Sequence, residues 1–523
     1  MTFDLLIRNG TIVDGSGNAA FAGDVGISGD RVAAIGTLRE TPAHEVIDAT
    51  GQVVCPGFID IHSHSDFTLP VDGRAESKVH QGVTTEVVGM CGISPAPLVK
   101  ERRGELLEYA SFLHPLFQWQ WHSFGEFYDR LQGTLSVNLA PVVGHGTLRV
   151  AAMGFARRPP GPDEAQRMQQ LLEAALDAGA FGMSTGLIYP PGSFAATAEL
   201  IDLARALAPR GALYFSHIRS EGARLLKAID EAIEIGIQAQ VPVQIAHFKA
   251  AGEKNWPKAV PAIERVEKAR QQGLDVSADM YPYPASSTGL GALLPDDVFS
   301  AGVERVLRQL EDPAARGELS RLLPERDYAT VLLANCPGAK ELEGQSIAEV
   351  ASTWQTSPQQ AVLQVLRLTS CQSTMISFGM SEENLKLNLA QPWMSIGSDG
   401  YALSPSGPLG QGKPHPRSYG TFPRVLQRYV REEKVLTLEQ AIHRMTTLPA
   451  NRLRLWDRGR LIAGVCADVV VFDPAQIQEQ STFVAPHRFP LGISTVLVNG
   501  KPVIREGHHT GRRPGQVLTR LEG

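Results

Sequence analysis

Cysteine is scarce in this chain, and long apolar runs are missing. Only five of the 523 residues are cysteine, an odd number without paired spacing, which argues against a disulfide framework. No stretch reaches the roughly 18 apolar residues that cross a bilayer. Asp4 and Arg8 stand where a signal peptide would need its apolar stretch. These absences predict a cytoplasmic protein with no membrane partner.

Positive charge is also limited. The chain has 49 Lys and Arg against 55 Asp and Glu, a formal net charge of −6, and it contains no Lys/Arg-rich run. Without a basic field, we expect no nucleic acid partner. The 43% hydrophobic content, with 50 Gly and 35 Pro, is that of a globular protein with many turns. The length suits a large domain with a smaller companion and leaves a homo-oligomer open.

The middle of the chain alternates short apolar runs with helix-length amphipathic segments, which is the pattern of repeated β/α units. Eight candidate strands predict an α/β fold of the (β/α)8 barrel type: 57–61, 84–88, 137–143, 181–184, 213–217, 243–247, 276–281 and 395–398. Two further candidate strands, 330–333 and 374–378, do not fit this series. We therefore assign an insertion to about residues 290–370.

Both ends of the chain have the pattern of short strands joined by tight turns. The predicted two-residue turns are Asn9-Gly10, Gly29-Asp30 and Asn499-Gly500. We expect residues 1–54 and 451–523 to pair in space as one small β domain. That domain would accompany a barrel formed by residues 55–450.

Histidines follow several of the predicted barrel strands, at the end where such barrels carry their active sites. His62 and His64 are two residues apart, so both point to the same side of an extended strand. His217 and His247 each end an apolar run on successive strands. Either one alone is better explained as a core histidine bonded to a carbonyl, but together the four favour a shared metal.

Cys91 and Asp399 complete the polar strand ends. A thiolate is a strong zinc ligand, and a carboxylate beside a metal is what general-base hydrolysis needs. Taken alone, Asp399 could equally be a helix cap. Asp60 is a further candidate ligand. We predict that the other four cysteines are packing residues and that His80 and His145 have structural or supporting roles.

The sequence resembles the amidohydrolase superfamily over essentially its whole length. The residues that carry the resemblance are Asp4-Leu-Leu-Ile-Arg-Asn-Gly, Cys55-Pro-Gly-Phe-Ile-Asp-Ile-His-Ser-His and Gly464-Val-Cys-Ala-Asp-Val-Val-Val-Phe-Asp. Many binuclear members carry a lysine after strand four, whereas this chain has Gly182-Met-Ser-Thr-Gly. The motifs similar to the D-aminoacylase branch instead are Val87-Val-Gly-Met-Cys-Gly-Ile-Ser-Pro, Ser216-His-Ile-Arg-Ser-Glu, Ala246-His-Phe-Lys and His415-Pro-Arg-Ser-Tyr-Gly.

This resemblance implies zinc-dependent hydrolysis of N-acyl-D-amino acids to a D-amino acid and a carboxylate. It implies one tight zinc site formed by Cys91, His217 and His247. A weaker second position would consist of His62, His64, Cys91 and Asp399.

The resemblance also implies roles around the reacting amide. Asp399 would shuttle the proton, and Tyr189 would face the scissile carbonyl. The residues that would hold the substrate carboxylate are Lys249, Tyr281, Ser287 and Arg417.

Two other functions stay open from the sequence. A ring-opening amidohydrolase of the dihydropyrimidinase or hydantoinase type would share the barrel, but the missing strand-four lysine counts against it. A non-catalytic relative would keep the barrel for binding, but such proteins normally lose ligands that are all present here. The preference for the D configuration rests on the resemblance alone.

Overall fold

A computed structural model of the chain describes residues 2–38, 40–113, 116–295 and 298–520 and shows a mixed α/β architecture. Its first strands are β1 (Phe3–Ile12), β2 (Phe21–Ser28), β3 (Arg31–Gly36), β4 (Ala43–Asp48) and β5 (Val53–Pro56). The predicted turn at Gly29-Asp30 joins β2 to β3. The turn predicted at Asn9-Gly10 is wrong, because β1 runs through it. Arg8 and Asn9 form a bulge in the pairing of β1 with β2, while Gly10 pairs with Gly23, and Asn9 takes a left-handed φ of 61°.

The middle of the chain supplies parallel strands close to the predicted positions. They are β6 (Phe58–Asp60), β7 (Val83–Val88), β8 (Asn138–Pro141), β9 (Val143–Gly144), β10 (Gly182–Gly186), β11 (Leu213–His217), β12 (Val243–Ile245) and β13 (Val276–Met280). β6, β7 and β8 form one sheet, and β9 to β13 are consecutive neighbours in a second. Val142, between β8 and β9, donates its backbone N–H to Val88 at 2.9 Å. One stretch of backbone therefore belongs to both sheets.

After β13 the chain leaves this pattern and builds a small antiparallel sheet. Its strands are β14 (Ala285–Gly289), β15 (Val331–Asn335) and β16 (Thr374–Phe378), in the order β14-β16-β15. This region has an apolar core of its own, which includes Val306, Leu310, Val362 and Leu366. Both extra strands that the sequence predicts are confirmed. The region is wider than the predicted insertion because β14 pairs with β16.

The chain returns to the parallel strands at β17 (Met394–Ile396), which pairs with β13. Just past β17, the backbone N–H of Asp399 donates to His62 at 2.7 Å, and that of His64 donates to Gly400 at 2.9 Å. These bonds join the loop after β6 to the loop after β17. The carboxyl ends of the first and last parallel strands consequently lie side by side.

The last strands return to the sheet formed by the start of the chain. They are β18 (Val469–Phe472), β19 (Ile493–Val498), β20 (Lys501–Arg505) and β21 (His508–His509). β18 pairs with β5 in antiparallel fashion, which places strands from both ends of the chain in one sheet. The predicted turn at Asn499-Gly500 joins β19 to β20.

Helices cover the parallel strands and fill the region between β14 and β16. They are α1 (Glu76–Val79), α2 (Arg103–Tyr109), α3 (Phe124–Asp129), α4 (His145–Met153), α5 (Pro162–Asp177), α6 (Thr197–Ala204), α7 (Leu225–Ala239), α8 (Ala259–Gln271), α9 (Val303–Glu311), α10 (Pro313–Leu322), α11 (Ile347–Thr353), α12 (Pro358–Leu368), α13 (Glu382–Ala390), α14 (Arg417–Arg424), α15 (Leu438–Met445) and α16 (Thr447–Leu453). Among the described residues, none of these helices has the length and apolar character needed to cross a membrane.

Candidate metal centre

The carboxyl ends of the parallel strands bring six buried side chains together as two groups of metal-binding atoms. One group consists of Cys91, His217 and His247, and the other of His62, His64, Cys91 and Asp399. Within each group the ligand atoms lie within 4.8 Å of one another. Cys91 belongs to both groups, so the two sites would share one ligand. All six residues were singled out in the sequence.

The distances within the first group are short. The Nε2 atom of His247 lies 3.1 Å from Nδ1 of His217 and 3.6 Å from the sulfur of Cys91. The sulfur of Cys91 is also 3.3 Å from Nε2 of His62 in the second group. A thiol and two imidazoles, buried and converging on one point, are a donor set typical of zinc with one position left open for substrate or water.

Three residues of the centre hold a backbone conformation that is rare for residues with side chains. The φ angles of Cys91, His247 and Asp399 are 54°, 36° and 50°. Such left-handed positions cost free energy, of the order of 1 kcal/mol or more each, and collect at functional sites. The surrounding structure must therefore stabilise them.

The backbone at Cys91 also explains why β10, the fourth of the strands predicted for the barrel, carries no lysine at its end. A Cβ atom at Gly186, the last residue of β10, would lie 2.1 Å from the carbonyl oxygen of Cys91. The Cys91 loop occupies the space that a side chain at this position would need. The position of the Cys91 backbone therefore requires a glycine at position 186.

Two acidic residues orient the histidines, and the sequence did not single out either of them. Oδ1 of Asp279, on β13, lies 2.9 Å from Nδ1 of His62 and accepts the backbone N–H of His247 at 2.9 Å. Oε1 of Glu221 lies 2.8 Å from Nδ1 of His247. These contacts turn Nε2 of both rings toward the centre, as carboxylates commonly do for metal-binding histidines. For Asp279 the usable signal was an acid inside a predicted strand, where a buried charge needs a partner, whereas Glu221 lies in the loop after β11 and gave no such signal.

A buried lysine ties the loops after β6 and β17 together. Nζ of Lys78 donates to Asp60 and to the hydroxyl of Ser398, both at 2.7 Å, and lies 3.4 Å from Glu86. Asp60 in turn accepts the backbone N–H of Ser398 at 2.8 Å and that of His62 at 3.3 Å. Asp60, a candidate ligand in the sequence, thus belongs to neither metal-binding group. It instead holds the backbone of the two loops that carry His62 and Asp399.

A cavity of about 410 Å³ opens onto the centre. Tyr189, Ser287 and Arg417, which the sequence singled out, line it, and Nη1 of Arg417 lies 2.7 Å from Asp399. The ring of Tyr189 packs edge-on against His217, with ring centroids 5.2 Å apart. The segment 401–413 contributes further lining residues, including Leu409.

Lys249 and Tyr281 lie behind this lining. Nζ of Lys249 is 2.5 Å from Oε1 of Glu221 and 2.8 Å from Nδ1 of His247. The ring of Tyr281 lies between two cations, 4.7 Å from the guanidinium of Arg417 and 5.6 Å from the Lys249 ammonium. Its buried hydroxyl has no hydrogen-bond partner among the described residues. Two cations and an unpaired hydroxyl therefore converge beside the centre.

The electrostatic environment favours the ionised forms of Cys91 and Asp399. Burial acts to raise the pKa of the Cys91 thiol, but the neighbouring His62 and His217 outweigh it and hold that pKa well below its usual value. Burial likewise acts to raise the pKa of Asp399, while Arg417 and the two histidines of its group hold it well below the usual value. A thiolate and a carboxylate are the forms that bind a metal.

The two other histidines that the sequence singled out, His145 and His80, lie outside both groups. His145 is bonded to Glu199 at 3.0 Å, and Glu199 also pairs with the buried Arg149. His80 stacks on Phe489 with ring centroids 3.8 Å apart. These contacts agree with structural or supporting roles. All five cysteines are free of disulfides.

Comparison with known proteins gives matches along almost the whole chain. Residues 45–504 match the model of the amidohydrolase family. The chain is 38% identical over 520 residues to the N-acyl-D-glutamate deacylase of Alcaligenes xylosoxydans xylosoxydans, covering 99% of this chain and 96% of that protein. The D-aminoacylase of the same organism is also 38% identical, covering 99% of this chain and 98% of that protein.

The structure of the chain is also similar over its whole length to a solved structure. N-acyl-D-glutamate deacylase from Bordetella bronchiseptica, complexed with zinc and a phosphonate inhibitor that mimics the tetrahedral intermediate, matches with a TM-score of 0.84. The sequence identity is 35%, and the match covers 100% of both chains.

Proposed function

Because this chain belongs to the amidohydrolase family, we propose that it hydrolyses the amide bond of N-acyl-D-amino acids, releasing a D-amino acid and a carboxylic acid. The observation that carries the proposal is the buried group of Cys91, His217 and His247 at the floor of a cavity, in a chain similar over its full length to two such deacylases. A ring-opening amidohydrolase fits less well, because Gly186 leaves no room for a side chain at the end of β10.

We infer that the two parallel sheets form one closed (β/α)8 barrel, spanning residues 55–450. The support is the stretch of backbone shared by β8 and β9, together with the bonds between the loops after β6 and β17. Residues 1–54 and 451–523 would be one β domain, since β5 pairs with β18. The insertion would run from β14 to β16, somewhat beyond the predicted 290–370.

Zinc fits the residues present. Cys91, His217 and His247 would hold the tight ion, and His62, His64 and Asp399 would complete a weaker position that shares Cys91. When bound, zinc would supply Lewis-acid polarisation of the amide carbonyl and activation of the attacking water. The donor set, one soft sulfur with buried imidazoles, favours zinc over magnesium or calcium, which prefer oxygen ligands.

The side chains around the cavity would transfer the proton, stabilise the developing negative charge and bind the substrate carboxylate. Asp399, ionised at the floor, would accept a proton from the attacking water and return it to the departing amine nitrogen. Tyr189 would donate its hydroxyl to the carbonyl oxygen as negative charge develops there. Arg417 and Ser287 on the cavity wall, with Lys249 and Tyr281 behind it, would hold the α-carboxylate and so fix the amide in place.

The stereochemical preference is tested with paired N-acetyl-D- and N-acetyl-L-amino acids, assayed for release of free amine. We expect amine from the D series and little from the L series. Protein carrying Asp399→Asn, purified in parallel, is the control for contaminating acylases. Release from the L series alone, or from neither series, would contradict the proposed function.

Lys249→Ala tests the carboxylate site. A charge-assisted hydrogen bond contributes roughly 1.5–3 kcal/mol, so we expect kcat/KM for N-acetyl-D-amino acids to fall at least ~10-fold. The corresponding amino-acid amides lack the carboxylate, and their slower turnover should change little. The measurement compares wild type and variant on the acid and on its neutral amide.

The matched control is Lys254→Ala, an exposed lysine of the same loop region. Equal losses on acid and amide would show that Lys249 acts through its contacts with Glu221 and His247 rather than on the substrate carboxylate.

A further inference from the structure

A second cavity of about 150 Å³ lies against the first. The two cavities share Tyr189 and Thr288, whose hydroxyl oxygens are hydrogen bonded at 2.9 Å. This pair is therefore the wall between them. A third residue, Tyr109, lines the second cavity and lies 3.4 Å from the carbonyl oxygen of Gly92, next to Cys91. The second cavity thus adjoins the metal centre on its Tyr189 side.

The second cavity is lined mainly by apolar side chains. Phe155, Ile188 and Phe299 are only partly buried, while Leu294 is buried. Gly291 and Ala292 add small residues, and a Cβ atom at Gly291 would lie 2.8 Å from the ring of Phe299. When an apolar ligand covers apolar side chains around such a space, the burial of apolar surface contributes favourably to the free energy of binding. Glu108 and Ser111 are polar members of the lining, but the described residues around the cavity include no Lys, Arg or His to bind a carboxylate, and the apolar majority suits a hydrocarbon chain.

We propose that the second cavity is the acyl subsite of the enzyme and takes N-acyl chains longer than acetyl. This rests on the proposed function, in which Tyr189 faces the scissile carbonyl. The acyl chain is attached directly to that carbonyl carbon, whereas the amino-acid side chain is attached through the amide nitrogen and Cα. The acyl chain is therefore the part of the substrate nearest to Tyr189 and to the cavity beyond it. The amino-acid part is bound on the other side, where Ser287 and Arg417 line the first cavity.

The wall between the cavities must yield for a long chain to pass. The chain enters by displacing the bond between Tyr189 and Thr288, and the hydroxyl of Tyr189 then turns to the scissile carbonyl. Acetyl ends before the wall, whereas hexanoyl extends beyond it. Chain length is therefore the variable that separates this subsite from the first cavity.

The experiment measures kcat/KM for N-acetyl- and N-hexanoyl-D-alanine, and for N-acetyl-D-norleucine, which carries an added hydrocarbon chain on the amino-acid side. In wild type, kcat/KM should rise about three- to fourfold per methylene that enters the cavity, the gain expected from burying a methylene. Ala292→Trp fills the second cavity from its exposed rim and should bring the ratio of hexanoyl to acetyl close to one. Ala314→Trp, an exposed alanine in α10 that lines neither cavity, should keep the wild-type ratio.

Three results would overturn the proposal. One is a wild-type ratio of hexanoyl to acetyl at or below one, with N-acetyl-D-alanine hydrolysed. The second is the same ratio in wild type and Ala292→Trp. The third is a loss in Ala292→Trp that falls on N-acetyl-D-norleucine instead, which would assign the cavity to the amino-acid side chain. No turnover of any of these substrates would refute the proposed function itself, and the subsite with it.

Discussion

Replacing Cys91 with alanine is expected to remove about one zinc per chain and to abolish turnover. Cys91 is the ligand common to both metal-binding groups, so its loss leaves each group without its sulfur. Two histidines alone fall short of the three protein ligands usual in a catalytic zinc site. The measurement is metal analysis by mass spectrometry of the purified variant, together with release of amine from an N-acetyl-D-amino acid.

Cys336→Ala is the matched control, because Cys336 is also buried but lies in the separate apolar core of the region between β14 and β16. It should retain both zinc and activity. Circular dichroism of both variants separates loss of metal from loss of fold. Full zinc retention in a folded Cys91→Ala protein would remove Cys91 from the site.

Asp399→Asn should lower kcat by at least ~10²-fold, the low end of the loss when general acid–base catalysis is removed. Asparagine has the same shape but cannot accept the proton. The tight group of Cys91, His217 and His247 does not include Asp399, so the variant should keep its zinc. The ion pair of Asp399 with Arg417 is lost, which leaves the guanidinium free for the substrate carboxylate. KM should therefore not rise.

Steady-state kinetics on zinc-replete protein separates these effects, with Asp202→Asn, an exposed aspartate of α6, as the control. Near-normal kcat in Asp399→Asn would limit Asp399 to binding and packing. A loss of zinc together with activity would instead make Asp399 a ligand required at the tight site.

The sequence predicted the parallel strands and the six side chains of the metal centre because both depend on local patterns. Each of those side chains follows an apolar run, and in a parallel sheet the carboxyl ends of such runs meet. Glu221, Asp279 and Lys78 were missed because their importance lies in partners from other strands. Their roles depend on the packing of side chains that are distant in sequence.

Other features of the structure were not predicted from the sequence, because they depend on the path of the backbone between helices and strands. The bulge at Asn9 replaced a predicted hairpin because its neighbours on both sides keep pairing within one strand. The second cavity is built from the loop at 188–190, α2 and the segment after β14, whose mutual placement no local pattern specifies. The family resemblance, rather than composition or periodicity, pointed to Tyr189, Ser287 and Arg417.

The pairing of β5 with β18 has a consequence for the synthesis of the chain. Roughly 410 residues separate the two strands, and a ribosome that adds ~5–20 residues per second needs ~20–80 s to make them. Until Val469–Phe472 emerges, one edge of β5 lacks its native partner. A free strand edge is a template for pairing with other chains. The nascent protein therefore passes through a period of tens of seconds in which crowding on polysomes favours aggregation.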